Sequence, residues 1–256
     1  MIFDRRRYGP EQNYVYLLAE GEDAALVDPG DPVVALGMAA AHGLRPRFIL
    51  HTHGHADHTA GSAALRARLG ARVFGHGDDA ARFAPDEDLR GRSELALGAL
   101  RVRVHEAPGH TPGAVLFEAD GKLLTGDTLF WAGTGHCRAG GDPAALARTF
   151  VRVFPRLDGS LEVHPGHDYA ERNLPFVLSL EPENEAARRR LTVVQGARAA
   201  GEEPPPTTLA GERAVNPFLR TGEPAVRDAV ARLSGAAPAE GAEAVFVALR
   251  ALRDRA

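Results

Sequence analysis

The stretch His51-Thr-His53-Gly-His55-Ala-Asp57-His58 gathers four imidazoles and a carboxylate. The apolar run Phe48-Ile-Leu50 precedes it, and Gly61 to Leu69, closed by Gly70, reads as a helix behind it. The stretch is therefore a strand-to-helix turn, where side chains converge at a sheet edge. A single histidine is more often a satisfied core or surface residue than a ligand. Packed together, however, protonated rings repel one another, and neutral buried rings need a partner for every nitrogen. A divalent cation answers both problems, because neutral imidazole and carboxylate are donors it favours. A merely solvated polar turn fits poorly between a buried strand and a helix.

Three more donors recur in one local setting, a strand end followed by a turn rich in glycine and proline. They are His110 in Pro108-Gly-His-Thr-Pro-Gly113, Asp127 in Thr125-Gly-Asp-Thr128 and His167 in His164-Pro-Gly-His-Asp168. Each alone is ordinary turn chemistry. With the first cluster, counted without His51, they supply seven nitrogen and oxygen ligands, too many for one tetrahedral ion and suited to two ions sharing a carboxylate.

Composition narrows the alternatives. The 256 residues, 44% hydrophobic and 25% charged, suit a soluble globular chain of one large domain or two modest ones. Cys137 stands alone, which excludes an intramolecular disulfide framework and a cysteine-based zinc site. A net charge of −4 argues against nucleic acid as the main partner. Arg5, Arg6 and Arg7 are followed by no apolar stretch, so a secretory signal is not expected. The longest apolar run, 33–41, falls short of the ~20 residues that span a bilayer. A cytoplasmic protein without a membrane partner, monomeric or weakly self-associating, is the expectation.

Along the chain, 14–19 and 24–27 read as a hairpin, 32–43 as a helix ending at Gly43, and 72–74, 100–104, 115–117, 122–125 and 161–163 as strands. Asp142 with Pro143 opens a helix over 143–154. Beyond about residue 172 strand patterns give way to helical ones at 174–180, 183–200, 224–233 and 241–254, with Glu202-Glu-Pro-Pro-Pro206 as a stiff spacer. This predicts a mixed α/β domain over 1–172 and a helical domain over 173–256.

The signature Thr52-His-Gly-His-Ala-Asp-His58, followed in order by His110, Asp127 and His167, resembles the metallo-β-lactamase superfamily. The resemblance implies a four-layer α/β/β/α sandwich with metals at one edge. It implies one metal held by His53, His55 and His110, a second by Asp57, His58 and His167, Asp127 bridging, and His51 not a ligand. Thr125-Gly-Asp-Thr-Leu-Phe130, His164-Pro-Gly-His-Asp-Tyr169, Asn13-Tyr-Val-Tyr16 and Asn216-Pro-Phe-Leu-Arg220 are similar to the glyoxalase II (hydroxyacylglutathione hydrolase) family through nearly the whole chain. That similarity implies a C-terminal helical groove for the glutathione moiety, contacted by Tyr169 and by Arg250 and Arg253, which lie three apart on one helical face. Relatives usually show Gly-Cys-Gly, a basic residue and then an aromatic after the aspartate. Here Gly133-Thr-Gly-His136-Cys137-Arg138 stands instead, with His136 in the place of the basic residue.

The implied activity is hydrolysis of S-D-lactoylglutathione to glutathione and D-lactate, as in methylglyoxal detoxification. The implied cofactors are two divalent ions, zinc first, with iron or manganese as the other candidates. Asp57 and Asp127 would orient the attacking water. Two competing readings are a persulfide dioxygenase with a single iron and a catalytically silent, metal-stabilised binding module. The complete second ligand set, Asp57, His58 and His167, favours hydrolysis.

Overall fold

A computed structural model describes residues 1–256. Twelve strands form two six-stranded sheets. The first runs in chain order through β1 (Ile2–Tyr8), β2 (Asn13–Glu20), β3 (Asp23–Val27), β4 (Phe48–Leu50), β5 (Arg72–Gly75) and β6 (Glu87–Asp88). The second contains β7 (Glu94–Leu97), β8 (Leu100–Glu106), β9 (Val115–Ala119), β10 (Lys122–Gly126), β11 (Glu162–Pro165) and β12 (Thr207–Thr208), again in chain order across the sheet.

The side chains of β2 show why layers form. Tyr14, Tyr16 and Leu18 enter the large core that includes the space between the sheets, whereas Val15, Leu17 and Ala19 enter a smaller core under the outer helices. Strands buried on both faces read as unbroken apolar runs, as β2, β3 and β4 do. The outer layer over the first sheet comprises α1 (Pro32–Ala41) and, after the one-turn α2 (Ala56–Thr59), α3 (Ser62–Leu69). Asp31 caps α1 by accepting the N–H groups of Val33 and Val34, with Pro32 at the first helical position. The layer over the second sheet begins with α4 (Pro143–Arg152), capped by Asp142 as the sequence predicts. It continues through α5 (Ala170–Leu180), α6 (Glu185–Ala199), α7 (Leu209–Val215), α8 (Pro224–Ser234) and α9 (Ala242–Arg253).

Parallel pairs need crossovers, and crossovers bring successive strand ends to the same side. β3 pairs parallel with β4, and β10 with β11. The loops leaving β3, β4, β10 and β11 therefore meet at one edge of the sandwich, joined there by the β8–β9 turn.

Several elements escape the sequence patterns, among them the short strands β6 and β7 and the one-turn α2. β1 is an edge strand rich in arginine, paired to β2 in the register Ile2↔Ala19 through Tyr8↔Asn13. Charged edges guard against unwanted pairing and erase the apolar signal. β12 is two residues long and pairs with β11, so strand structure does not end at residue 172. The seven-residue α7 is capped by Thr208, which accepts from Gly211 N–H. Helix α5 also begins four residues earlier than its pattern indicates and runs across the predicted 172/173 division. No helix is long and apolar enough to cross a membrane.

Candidate metal centre

The seven expected ligands meet at the sandwich edge. His53, His55, His110 and Asp127 bring ligand atoms within 4.8 Å of one another, and so do Asp57, His58 and His167. Asp127 reaches both sets: its Oδ2 lies 3.4 Å from His110 Nε2 and 3.4 Å from His167 Nε2, and its Oδ1 lies 3.4 Å from His58 Nε2. His51 belongs to neither set. It is buried and turns Nε2 to the Ser62 hydroxyl at 2.6 Å.

Each ring is held from behind. His110 Nδ1 donates to His136 O at 2.6 Å, His167 Nδ1 to Glu11 O at 2.7 Å, and His55 Nε2 to Ala139 O at 3.3 Å. His58 Nδ1 faces Asp28 Oδ2 at 3.4 Å. An outer nitrogen that gives its proton to oxygen leaves the inner nitrogen as a lone pair aimed inward. The inner atoms then face one another, His110 Nε2 to His55 Nδ1 at 2.9 Å and His58 Nε2 to His167 Nε2 at 3.2 Å. His53 Nε2 and Asp127 Oδ1 are buried with no hydrogen-bond partner. Lone pairs facing lone pairs, with orphaned buried acceptors among them, fit divalent cations and little else.

The electrostatics divide the rings between the two sets: at His58, as at His167, the neighbouring carboxylates outweigh burial and raise the ring well above the ordinary imidazole range. Burial pulls His53 well below the ordinary imidazole range and His110 down to about 4, so both favour the neutral, ligating form. Burial acts the same way on His167, but Asp127 and Asp57 outweigh it and raise that ring to about 9. Asp127 resists burial through His167 and His58, which hold it well below the usual carboxylate range.

Several residues to which the sequence assigned no role support the ligands. Asp28, in the left-handed region at φ 50°, ends β3 and accepts from both Thr52 N–H (2.8 Å) and the Thr52 hydroxyl (2.6 Å). From the sequence, Asp28-Pro-Gly30 is only a strand stop. Asn13 donates to Asp57 Oδ2 at 2.8 Å. Asp79 sits on a short 3-10 helix, Gly77–Arg82, and is buried between two ligand loops.

Two adjoining hollows of about 310 Å³ open at this edge. One is lined by the ligands and the other by α5, α9 and the 134–138 turn; Phe130, His136, Tyr169 and Arg172 border both. Tyr169 stacks on His167 with ring centroids 4.8 Å apart and donates to Glu11 Oε2 at 3.0 Å. Arg253 faces the second hollow. Arg250 is buried: Nη1 donates to Thr134 O at 2.9 Å, and Nη2 pairs with Asp254 at 3.0 Å. Cys137 is half-buried, and burial pushes its thiol up to about 11. A larger hollow of about 790 Å³ lies where β4 and β5 begin, away from the ligands. Its arginines are already paired, Arg47 with Asp23 and both Arg72 and Arg92 with Glu87.

Residues 8–170 match the model of the metallo-β-lactamase superfamily, and residues 168–256 match that of the hydroxyacylglutathione hydrolase C-terminus. The chain belongs to the hydroxyacylglutathione hydrolase family. It is 68% identical over 256 residues, all of both chains, to a protein of Anaeromyxobacter dehalogenans (strain 2CP-C) named hydroxyacylglutathione hydrolase. A protein of the same name from Dechloromonas aromatica (strain RCB) is 39% identical over 95% of this chain and 96% of its own. Among solved structures, ETHE1 from Myxococcus xanthus superposes with TM-score 0.69 at 25% identity, covering 99% of this chain and 98% of that one. TTHA1623, solved in a di-iron-bound form, superposes with TM-score 0.64 at 27% identity over 84% of this chain and all of its own. The metallo-β-lactamase fold and a divalent-metal site are thus features of this family member.

Proposed function

We propose that the protein hydrolyses 2-hydroxyacyl-glutathione thioesters, S-D-lactoylglutathione above all, to glutathione and the hydroxy acid. The observation that carries this reading is the shared border of the two hollows. A thioester lying across Phe130, His136 and Tyr169 places its carbonyl at the ligand cluster and its thiol peptide in the helical hollow.

In this reading His53, His55 and His110 hold one divalent ion, and Asp57, His58 and His167 hold a second, with Asp127 between them and zinc as the first candidate. Such ions supply Lewis acidity to water and to the thioester carbonyl. The chain does the rest. Asp57 and Asp127 orient the water and accept its hydrogen bonds. The leaving thiol has a pKa of ~8.5, so it departs without a dedicated general acid. Tyr169 and His136 flank the thiol peptide. Arg253 attracts its anionic end, and Arg250, with its Nη1 and Nη2 engaged, holds the Thr134–Gly135 turn in place. Residues 1–172 then act as the metal-binding part and 173–256 as the part that closes the substrate hollow.

The test is thiol release from S-D-lactoylglutathione by the purified protein, with metal analysis alongside. Turnover at two metals per chain, lost on chelation and restored by metal, supports the reading. One iron per chain with oxygen uptake on glutathione persulfide replaces it.

A further inference from the structure

His167 and Asp168 are neighbours in the loop after β11, yet their side chains serve different parts of the chain. The loop lies against the β1–β2 turn as a short ladder. Asn13 bridges His167, Tyr14 N–H donates to Gly166 O at 2.8 Å, and Asp168 N–H donates to Gln12 O at 3.0 Å. Successive side chains along such a bridge point to opposite sides. His167 accordingly turns to the ligand cluster, and Asp168 turns away from it, its side chain only 1% exposed. Asp168 Oδ2 meets Arg7 Nη1 at 3.4 Å and the Tyr14 hydroxyl at 3.1 Å, and Arg198 Nη2 pairs with it as well. Arg7 Nε also reaches Glu203 Oε1 at 3.0 Å, and the Tyr14 hydroxyl lies 2.7 Å from Glu203 Oε2.

Two carboxylates thus balance two guanidinium groups in one cluster. Arg7 and Tyr14 come from β1 and β2, but Arg198 stands near the end of α6 and Glu203 in the spacer after it. Helix α6 supplies none of the seven ligands, and it reaches the metal centre through Asp168. We propose that Arg198 is a positioning residue for the ion at Asp57, His58 and His167, acting through Asp168. A buried carboxylate whose counter-charge is removed is strongly destabilising. Without Arg198 the cluster holds two carboxylates against one guanidinium, and Asp168 turns toward water. Asp168 and His167 share a peptide bond, so that turn moves the imidazole away from its partners. None of these contacts touches His53, His55 or His110, so the effect falls on one ion of the two. The helical part of the chain then serves metal binding as well as the substrate hollow. This inference rests on the two-ion reading of the site and deepens it.

The experiment titrates the full-length, metal-free protein with zinc and follows both binding steps by calorimetry and chelator competition. His58→Ala identifies the step that belongs to the Asp57, His58 and His167 set. Arg198→Gln should weaken that step about tenfold and leave the other within about twofold. Arg198→Lys should recover part of the loss. Asp168→Asn should act on the same step, and the double variant should lose no more than the more affected single one, because the two side chains work as a pair. At limiting zinc, Arg198→Gln should lower kcat for thiol release with KM little changed, and excess zinc should restore it, which a general loosening of the fold would not allow. An Arg198→Gln variant whose two steps match those of the unmodified protein overturns the proposal, and so does one that weakens both steps alike. Should Asp168→Asn fail to fold, Arg198→Gln, at a partly exposed side chain, still decides it. Uptake of a single ion by the unmodified protein overturns the two-ion reading and this proposal with it. Failure of the thioesterase reading shows elsewhere, as two ions bound without thiol release, and the two zinc steps then still decide the role of Arg198.

Discussion

Asp79 Oδ2 accepts the backbone N–H of Gly54 at 2.9 Å. The same carboxylate accepts the Thr111 hydroxyl at 2.6 Å and the Gly113 N–H at 3.3 Å. One buried side chain, itself no ligand, therefore ties the loop of His53 and His55 to the loop of His110. Asp79→Ala strands buried donors on both loops, each worth ~1–3 kcal/mol. Metal affinity at the His53/His55/His110 site should fall ~10–100-fold, as for other partners that orient ligands. Asp79→Asn, which keeps one acceptor oxygen, should lose less. Competitive chelator titration decides it; unaltered affinity in the alanine variant would remove Asp79 from this role.

Gly166 stands where no side chain fits. A Cβ there would come 2.2 Å from Asp127 Oδ1 and 2.8 Å from His58 Cε1. Gly166→Ala must push aside the carboxylate that reaches both ligand sets. A displacement of that size costs on the order of 10²-fold in rate. Circular dichroism should stay native while metal content and kcat drop together, and an alanine variant with full metal content and rate would contradict the expected crowding.

Glu212 is fully buried and accepts the N–H of Ala132, a non-glycine residue at φ 58°, at 2.8 Å. It thereby pins the tight Phe130–Gly133 turn beside the site. Burial raises its carboxyl to about 7, against the hydrogen bonds from Ala132 and Asn216. The folded chain thus keeps a proton that the unfolded chain releases near pH 4.5. The contribution of this group to stability is greatest below that pH, declines as pH rises to about 7, and above it is a penalty on the order of 3 kcal/mol. Glu212→Gln keeps an acceptor and cannot ionise. Relative to the parent it should gain stability at pH 8 and gain little at pH 4.5 in denaturant titrations; a difference independent of pH would refute the assignment.

Cys137 neighbours the site, but burial keeps its thiol protonated at neutral pH. A thiol in that state is a poor nucleophile. Cys137→Ala should retain kcat within about twofold, and modification by iodoacetamide should be slow at pH 7.5. A large loss of kcat in a well-folded alanine variant would bring the thiol into the chemistry.

Much of this was legible in the chain. Four imidazoles and a carboxylate crowded between a buried strand and a helix have no stable arrangement without a cation, so the cluster at 51–58 announces its chemistry locally. Asp142-Pro143 opens a helix by local hydrogen bonding, and local rules found it, whereas the helix from Pro32 was legible by its composition and Gly43 and its Asp31 cap only in the structure. His110, Asp127 and His167 stood out by their glycine-rich turns at strand ends, and the family resemblance divided the donors into two ligand sets. Strand β1 was hidden, because its stability comes from pairing with β2 and not from its own arginine-rich pattern.

The sequence by itself determined the donor set, the layered α/β character and the helical tail, since residue type, spacing and capping act over a few positions. Only the tertiary structure decided which side chains serve which task. Asp28 and Asp79 look like turn residues until folding buries them against Thr52 and Gly54. Arg250 and Arg253 share a helical face on paper, yet packing against the 134–135 turn occupies the first and leaves the second to face Arg172. Burial and competition for partners are properties of the packed chain, and they fix which charges are spent on the fold and which remain for a ligand.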